Sequence, residues 1–249
     1  MIDPNARDKI NRRGTLLLAI LLAGSSTLPS LAFSQQLSDE TSKIVDSRDA
    51  QNDGPGLVLS VSPKLHALQQ RWAKVNYTLQ GDEQLAAFES LISQARALTQ
   101  EQPNNAGYWA WLGICQSTSA AAIGGTGALA LAKKARKSLE KSIKLDDNAL
   151  DGAAMTTLGA LYHKLPGWPL SFGSDKKAKK LLAESVERHP TSIDANFFFA
   201  EFLFDDNDNS AAREYLLLAQ QAPTRPERPM ADKYRRIAVE TLLKEIDKK

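Results

Sequence analysis

The sequence predicts an all-α protein in which helices stack in successive pairs. From about residue 64 onward, apolar side chains recur at intervals of three and four residues, the spacing that places them on one face of a helix. No segment shows the alternation of apolar and polar residues that is typical of a strand. In addition, one pattern of small and large residues returns several times along the chain, which indicates an array of similar helical hairpins.

The composition is that of a globular protein whose fold rests on packing without an internal disulfide. The chain has 249 residues, of which 43% are hydrophobic and 24% are charged. Its single cysteine, Cys115, lies in an apolar helical run, where we expect a buried thiol that acts as a small hydrophobic side chain. Beyond residue 34 there are 27 basic and 27 acidic residues, and this neutral balance argues against a nucleic-acid partner.

The first 34 residues have the layout of a secretory signal peptide. Four basic residues precede the short apolar run TLLLAILLAG, and small residues follow it at suitable cleavage positions. We expect cleavage after Ala32 or Ser34, with membrane contact only through this segment before cleavage; an uncleaved membrane anchor is the alternative. Residues 35–63 are polar and lack a sustained helical period, which predicts a flexible linker ahead of a helical domain at residues 64–249.

Helices are predicted from the start of this domain to its end. The first covers residues 64–80, where a large apolar residue returns every three or four positions. The second covers residues 82–102 and ends before Pro103, because proline cannot continue a helix. The last, residues 230–249, is strongly charged on one side and is predicted to cap the array.

The repeated pattern resembles the two-helix signature of the tetratricopeptide repeat (TPR). The first-helix signature W-x2-L-G-x2-Y is matched as far as its glycine at Trp109-x2-Leu112-Gly113, and it returns at residues 155–162 with methionine in the first place. The second-helix signature, an alanine with a large residue four positions later, begins at Ala135, Ala178 and Ala211. Small residues at these positions let two helices approach closely. We therefore predict a TPR-like helical-hairpin solenoid of about four repeats with a C-terminal capping helix.

Two insertions interrupt the central repeats at the same point of the pattern. One is the octet PGWPLSFG at residues 166–173, and the other lies around AAAIGGTGALALA at residues 120–132. Equivalent loops of successive repeats lie on one edge of a solenoid, so we expect the two to be neighbours. We hypothesise that Trp168 and Phe172 fold back over the groove, with Pro166 and Pro169 stiffening the turn. The alternative is that the aromatics only plug a gap in the fold.

Residues around the octet also resemble a more specific family. The run LYHKLPGWPLSFGSDKKAKKLLAESVERHPTSIDANFFFAEFL is similar to the bacterial T-component family of TRAP transporters, which has a PGWP-x-x-FG segment followed by an aromatic-rich helix. That resemblance implies an all-helical periplasmic protein with an apolar groove that binds a ligand and partners a substrate-binding protein in multimeric form. The resemblance assigns the family's functional positions to Trp168, Phe172, Asn196 and Phe197 of this chain. Transporter-type members are commonly lipoproteins, whereas this chain has no lipidation cysteine at its signal end.

No catalytic constellation is visible in the sequence. It has neither a G-x-S-x-G nor an H-E-x-x-H motif, and we expect His66, His163 and His189 to be surface or helix-end residues, not metal ligands. The G-x-G-x-x-A pattern at residues 125–130 lies between helices and so lacks the strand of a dinucleotide site. The acidic run at residues 205–210 is expected to be a polar turn. We predict no enzyme activity, no cofactor and no metal.

These observations predict a periplasmic, non-catalytic binding or adaptor protein. In the T-component-like version, the helical groove binds an apolar or small-molecule ligand, a transporter partner, or both, and the chain forms a homo-oligomer. In the alternative, a soluble TPR scaffold recognises a peptide or partner protein on its concave face. The basic helix face at residues 133–144 is either solvated or meets an acidic partner. The residues expected to bind ligand or partner are Trp109, Trp111, Pro166, Trp168, Pro169, Phe172, Asn196 and Phe197.

Overall fold

A computed structural model describes residues 62–248. The predicted signal peptide and nearly all of the predicted linker lie outside these residues. Within them the chain forms helices and no strands, as the periodicity predicted. The helices are α1 Pro63–Thr78, α2 Gly81–Glu101, α3 Ala106–Ile123, α4 Gly125–Leu145, α5 Ala149–Lys164, α6 Asp175–Arg188, α7 Ile193–Asp205, α8 Asn209–Gln221 and α9 Pro229–Ile246.

Most helix starts are fixed by a polar side chain that satisfies a free backbone N–H group. The Ser62 hydroxyl accepts a hydrogen bond from the Leu65 N–H at 3.2 Å, and Pro63 occupies the first helical position, where its missing N–H costs nothing. Ser174 and Ser192 cap α6 and α7 in the same way. The three helices whose bounds were predicted, residues 64–80, 82–102 and 230–249, agree with α1, α2 and α9 to within about three residues.

Consecutive helices pack closely where glycine meets leucine. A side-chain carbon placed on Gly113 of α3 would lie 2.5 Å from Leu139 Cγ of α4, and one on Gly159 of α5 would lie 2.7 Å from Leu182 Cγ of α6. Both leucines are fully buried. The close approach that the repeated signature predicted is thus confirmed at both positions, since no larger residue than glycine leaves room for the leucine.

The odd-numbered helices form a continuous series. Helix α3 contacts α1 and α5, α7 contacts α5 and α9, and α9 in turn contacts α1. Ala231 of α9 belongs to the core cluster built around α1 to α3, whereas Val239 and Leu242 belong to the second cluster, which extends from α3 to α9. The last helix contacts α8 as a cap would, but it also bridges both clusters, so it is a central element of the fold.

The insertion expected around residues 120–132 does not form a loop. Helix α3 continues to Ile123 and α4 begins at Gly125, so that only Gly124 separates them. Gly124 has a φ of +65°, a conformation that residues with side chains rarely adopt, and this allows the sharp reversal. The extra residues therefore lengthen both helices instead of forming a separate binding loop.

None of the helices within residues 62–248 is long and apolar enough to cross a membrane.

Candidate functional site

The octet forms a closed loop between α5 and α6. Its base is joined by two backbone hydrogen bonds, from the Gly173 N–H to the Pro166 carbonyl at 3.0 Å and from the Ser174 N–H to the Tyr162 carbonyl at 2.9 Å. At the tip, the Leu170 N–H donates to the Gly167 carbonyl at 3.1 Å. These hydrogen bonds give the loop a defined shape of its own.

Gly173 is required at the base of this loop. A side-chain carbon at this position would lie 1.9 Å from the Leu165 carbonyl oxygen, a backbone atom that cannot rotate away. Pro166, also at the base, and Pro169, at the tip, fix their own φ angles and so restrict the backbone in both places. The shape of the backbone therefore explains why glycine and proline occupy these positions of the octet.

Phe172 anchors the loop to the helices. Its ring lies edge-on to the Tyr162 ring of α5 at 5.5 Å between centroids, and the Arg136 guanidinium of α4 lies 4.6 Å from its centre. Phe172 is half-buried and packs against the larger core cluster. For this aromatic residue, the geometry fits the alternative in which the octet fills a gap between helices.

Trp168 has the opposite environment. Its side chain is 91% exposed, and Leu170 beside it is 68% exposed. Trp168 therefore does not fold back over a groove, because Phe172 already takes the position against Tyr162 and the turn at Gly167 carries Trp168 outward. Nor does it plug the fold. A large indole held in solvent on an ordered loop is the feature of this protein that packing leaves unexplained.

An open pocket of about 350 Å³ lies between the octet and α4. The octet contributes residues 168–172, and α4 contributes the cationic side chains of Lys133, Arg136 and Lys137. No acidic residue lines this pocket, although Glu140 one turn along pairs with Arg136 at 3.5 Å. The octet thus lies beside α4, at residues that follow the expected insertion of residues 120–132.

The other candidate residues lie elsewhere. Trp111 is 2% exposed and belongs to the core cluster around α1 to α3, whereas Phe197 is 1% exposed and belongs to the other cluster. The half-buried Trp109 donates its indole N–H to the Pro103 carbonyl at 2.8 Å. Asn196 is fully buried, and its amide donates to the Pro190 and Ser192 carbonyls in the turn before α7. These four side chains hold helices and turns together, and the structure does not join them to the octet.

The chain's own C-terminal segment covers Trp111 and Phe197. The Arg228 guanidinium lies 5.2 Å from the Trp111 ring centre, and that of Arg235 lies 4.4 Å from the Phe197 ring centre. In the same region, the Tyr234 ring of α9 stacks on the Tyr77 ring of α1 at 4.3 Å. Trp111 of α3 and Phe197 of α7 therefore contact cations of this chain.

A cluster of charges that sequence reasoning missed lies beneath this segment. Asp194 of α7 accepts hydrogen bonds from Arg225 and from Arg235, both at 2.7 Å, and Asp232 pairs with Arg225 at 2.6 Å. Burial by itself would raise the pKa of Asp194, but the guanidinium groups of Arg235, Arg225 and Arg228 hold that pKa well below its usual range. No local pattern signals this cluster, because Asp194 of α7 lies 31 positions from Arg225 and 41 positions from Arg235 along the chain.

His163 lies in the last turn of α5, as expected of a helix-end residue, but its side chain is not at the surface. It is 2% exposed, and its Nε2 atom lies 2.8 Å from the carboxylate of Asp205, a residue expected in a polar turn. The adjacent Lys164 contacts Asp205 and Glu201, each at 3.1 Å. A histidine and a lysine can be buried here because carboxylates at the end of α7 satisfy them. Within residues 62–248, no group of three or more His, Cys, Asp or Glu side chains is placed to hold a metal ion.

Within residues 62–248, fold and site together define a helical protein that presents an ordered loop, with an exposed tryptophan, beside a cationic helix face. No protein-family model matches the chain. A search of curated proteins likewise finds no match.

Proposed function

We propose that this chain is a non-catalytic binding or adaptor protein that docks onto a partner protein through the octet and the basic face of α4. The observation that carries this proposal is the exposure of Trp168, which is 91% solvent-accessible on a loop closed by its own hydrogen bonds. Tryptophan is the residue type most often found to dominate binding energy at protein interfaces. A preordered loop presents it at low entropic cost.

The residues around Trp168 indicate what kind of partner surface would fit the octet. Leu170 extends the apolar tip, and Lys133, Arg136 and Lys137 form one side of the pocket next to it. Such a surface is complementary to an apolar pocket with an acidic rim, because the rim charges would favour encounter and the indole would supply most of the affinity. The proposed partner is therefore a protein that carries acidic side chains around a hydrophobic pocket.

The architecture we propose is a TPR-like solenoid of about four helical hairpins. The glycine-to-leucine contacts of Gly113 and Gly159 support it, as does the continuous series of odd-numbered helices. In this interpretation the solenoid curls until α9 reaches α1. The concave face then holds α9, which argues against a peptide lying there as in the alternative scaffold role.

We propose further that the role is periplasmic and associated with transport, as in the T-component family. The octet at residues 166–173 and the aromatic start of α7 support this, because they carry the resemblance. The partner of the octet surface would then be a substrate-binding protein. A small apolar ligand at Asn196 and Phe197 is less favoured, because both side chains are buried among this chain's own residues.

Site-specific photo-crosslinking tests the docking proposal. A photoreactive phenylalanine analogue replaces Trp168 in one variant and Leu170 in a second, and it replaces Ile123 in a matched control, which is 45% exposed at the end of α3. We expect one protein to be captured at the two octet positions and not at the control. Reversing the charges of Lys133, Arg136 and Lys137 to glutamate should abolish that capture.

Three results would contradict the proposal. Crosslinking to lipid at positions 168 and 170 would make the octet a membrane-contacting loop. Crosslinking only to a second copy would make it a self-association surface. Equal capture at residues 123, 168 and 170 would show that the octet has no specific partner.

A further inference from the structure

The start of α9 and the segment before it bring three arginines together on the inner side of the fold. Arg225, Arg228 and Arg235 are each partly accessible, with 13–20% of the side chain exposed. The carboxylates that face them are Asp194 of α7 and Asp232 of α9. Three positive charges thus meet two negative charges, so one positive charge is not balanced within the cluster.

The hydrogen bonds show which donors are still free. Both oxygens of Asp194 already accept, one from Arg225 and the other from Arg235. Arg225 also donates through Nε to Asp232 at 2.6 Å, but its Nη2 atom is buried and has no acceptor. A guanidinium donor that is removed from water without an acceptor is costly. Arg225 therefore keeps one unsatisfied donor, Nη2, which neither Asp194 nor Asp232 accepts from.

Arg228 is the least satisfied of the three. Its Nη1 atom lies 3.9 Å from the Asp194 carboxylate, too far for a hydrogen bond, and its guanidinium is held over the Trp111 ring. No hydrogen bond from its side chain is found in the part of the chain that the structure describes. Burial, together with the like charges of Arg225 and Arg235, lowers the pKa of Arg228 despite the attraction of Asp194.

We propose that Arg225 and Arg228 form a binding site for an oxyanion, a carboxylate or a phosphate group. A guanidinium presents parallel N–H donors that match the two oxygens of such a group, and one negative charge would neutralise the cluster. Arg235 and Asp194 hold the site in place through their 2.7 Å contact. This site is separate from the octet surface and does not depend on the docking proposal.

Aromatic side chains border the site. Tyr77 lies close enough to Arg235 and Arg228 for their charges to act on its hydroxyl, and it stacks on Tyr234. Phe198 lies under Arg235 at 4.5 Å. All three rings are only partly buried, so a ligand next to the arginines can reach their faces or edges. We therefore expect the oxyanion to be preferred when it is attached to an apolar or aromatic body.

An NMR titration with three probes tests the site. The ¹⁵N-labelled protein is titrated with benzoate, acetate and inorganic phosphate, with ionic strength kept constant by sodium chloride, and the arginine Nε–Hε signals are followed. We expect saturable shifts of the Arg225 and Arg228 signals, with benzoate binding more tightly than acetate. Phosphate binding more tightly than benzoate would keep the oxyanion site and assign it to a phosphate ligand.

The variant Arg228→Gln should weaken binding of the preferred probe about tenfold or more. It should fold normally, because the Arg228 side chain makes no hydrogen bond in the described structure. Arg213→Gln is the matched control, since Arg213 is exposed and pairs with Asp247 far from the site. Non-saturable shifts that chloride reproduces, or equal affinities of the Arg228→Gln variant and the unchanged protein, would overturn the proposal.

Discussion

Trp168 and Trp111 show how two tryptophans of one chain take opposite roles. Trp168 is 91% exposed and contributes little to packing, whereas Trp111 is 2% exposed in the core. Replacing Trp168 with alanine should leave the free energy of unfolding within about 0.5 kcal/mol of its original value. The same change should reduce affinity for the crosslinked partner about tenfold or more, because an exposed anchor acts only in the complex.

Urea denaturation and a binding titration check this prediction together. The control is Trp111→Ala, which should destabilise the protein by about 3 kcal/mol or more through loss of a buried ring. A strong loss of stability in the Trp168→Ala variant with unchanged binding would assign Trp168 to the fold.

Asp205 is predicted to stabilise the folded protein in a pH-dependent way. Burial would raise the pKa of this carboxyl group, but the hydrogen bond from His163 and the charge of Lys164 lower it overall. A carboxylate with a lowered pKa in the folded state contributes stability above its unfolded pKa, and that contribution is lost as the pH falls through the folded value. The contribution should therefore be complete at neutral pH and decline below about pH 4.

We expect Asp205→Asn to lower the free energy of unfolding by about 2 kcal/mol at neutral pH, since a charge-assisted hydrogen bond is weakened. Urea denaturation at several pH values should show the difference from the unchanged protein shrinking below about pH 4. Asp247→Asn, at an exposed ion pair, is the control and should have a small effect throughout. A difference that stays constant down to the lowest pH would be inconsistent with an ionised Asp205.

At the scale of helices, the contact between α3 and α4 depends on a glycine. Gly113→Ala would place a carbon 2.5 Å from Leu139 Cγ, and Leu139 is fully buried and has no room to move. Overpacking of this kind costs about 1 to 3 kcal/mol, which outweighs the gain of about 1 kcal/mol in helix propensity. We therefore expect a net destabilisation of up to about 2 kcal/mol.

Gly127→Ala in α4 is the matched control, because its added carbon would lie 3.4 Å from the Ile123 side chain, an ordinary contact. It should be neutral or stabilise the protein by up to about 1 kcal/mol. Thermal unfolding of both variants compares the two glycines. Equal stabilisation by both changes would mean that α3 and α4 do not approach as closely as described.

The octet loop is a second element that a single glycine controls. Gly173→Ala would bring a carbon within 1.9 Å of the Leu165 carbonyl oxygen, so the base of the loop must move. We expect partner affinity to fall about tenfold or more even though Trp168 is unchanged, because its presentation is altered. Gly167→Ala, whose added carbon would lie 3.4 Å from the Gly173 carbonyl oxygen, should have a milder effect. Unchanged affinity in the Gly173→Ala variant would show that loop shape is unimportant for docking.

At the scale of the whole molecule, the contact between α1 and α9 links the two ends of the described chain. Tyr77 of α1 and Tyr234 of α9 stack at 4.3 Å with their rings nearly parallel. Replacing Tyr234 with alanine should cost about 0.5 to 1.5 kcal/mol beyond the loss of buried area. It should also speed backbone amide exchange in α1, since local opening depends on such contacts.

Hydrogen exchange with peptide-level resolution measures this effect. Ile237→Ala provides the control, because Ile237 lies on the same helix and is 40% exposed. It should leave exchange in α1 unchanged. Faster exchange confined to α9 in the Tyr234→Ala variant would show that the two ends are not coupled.

How much could be predicted differs between the fold and the site. Apolar spacing predicted the helices, and the recurring glycines and alanines predicted which helices approach closely, as Gly113 against Leu139 confirms. The position of the octet loop was also readable, because proline cannot continue a helix. The sequence did not predict that Trp168 is exposed and that His163 is buried. An exposed indole has the same local sequence signals as a buried one, and the same is true of an imidazole.

The sequence by itself determined the helical class, the approximate bounds of α1, α2 and α9, and the closeness of paired helices, because these depend on residues a few positions apart or on residue size. Only the tertiary structure decided that α9 returns to α1, that Arg225 and Arg228 meet beside Asp194, and that His163 finds Asp205. Those contacts join residues some 30 to 40 positions apart, or more. Whether a buried charge finds its partner depends on how all the helices are arranged, and no short stretch of sequence contains that information.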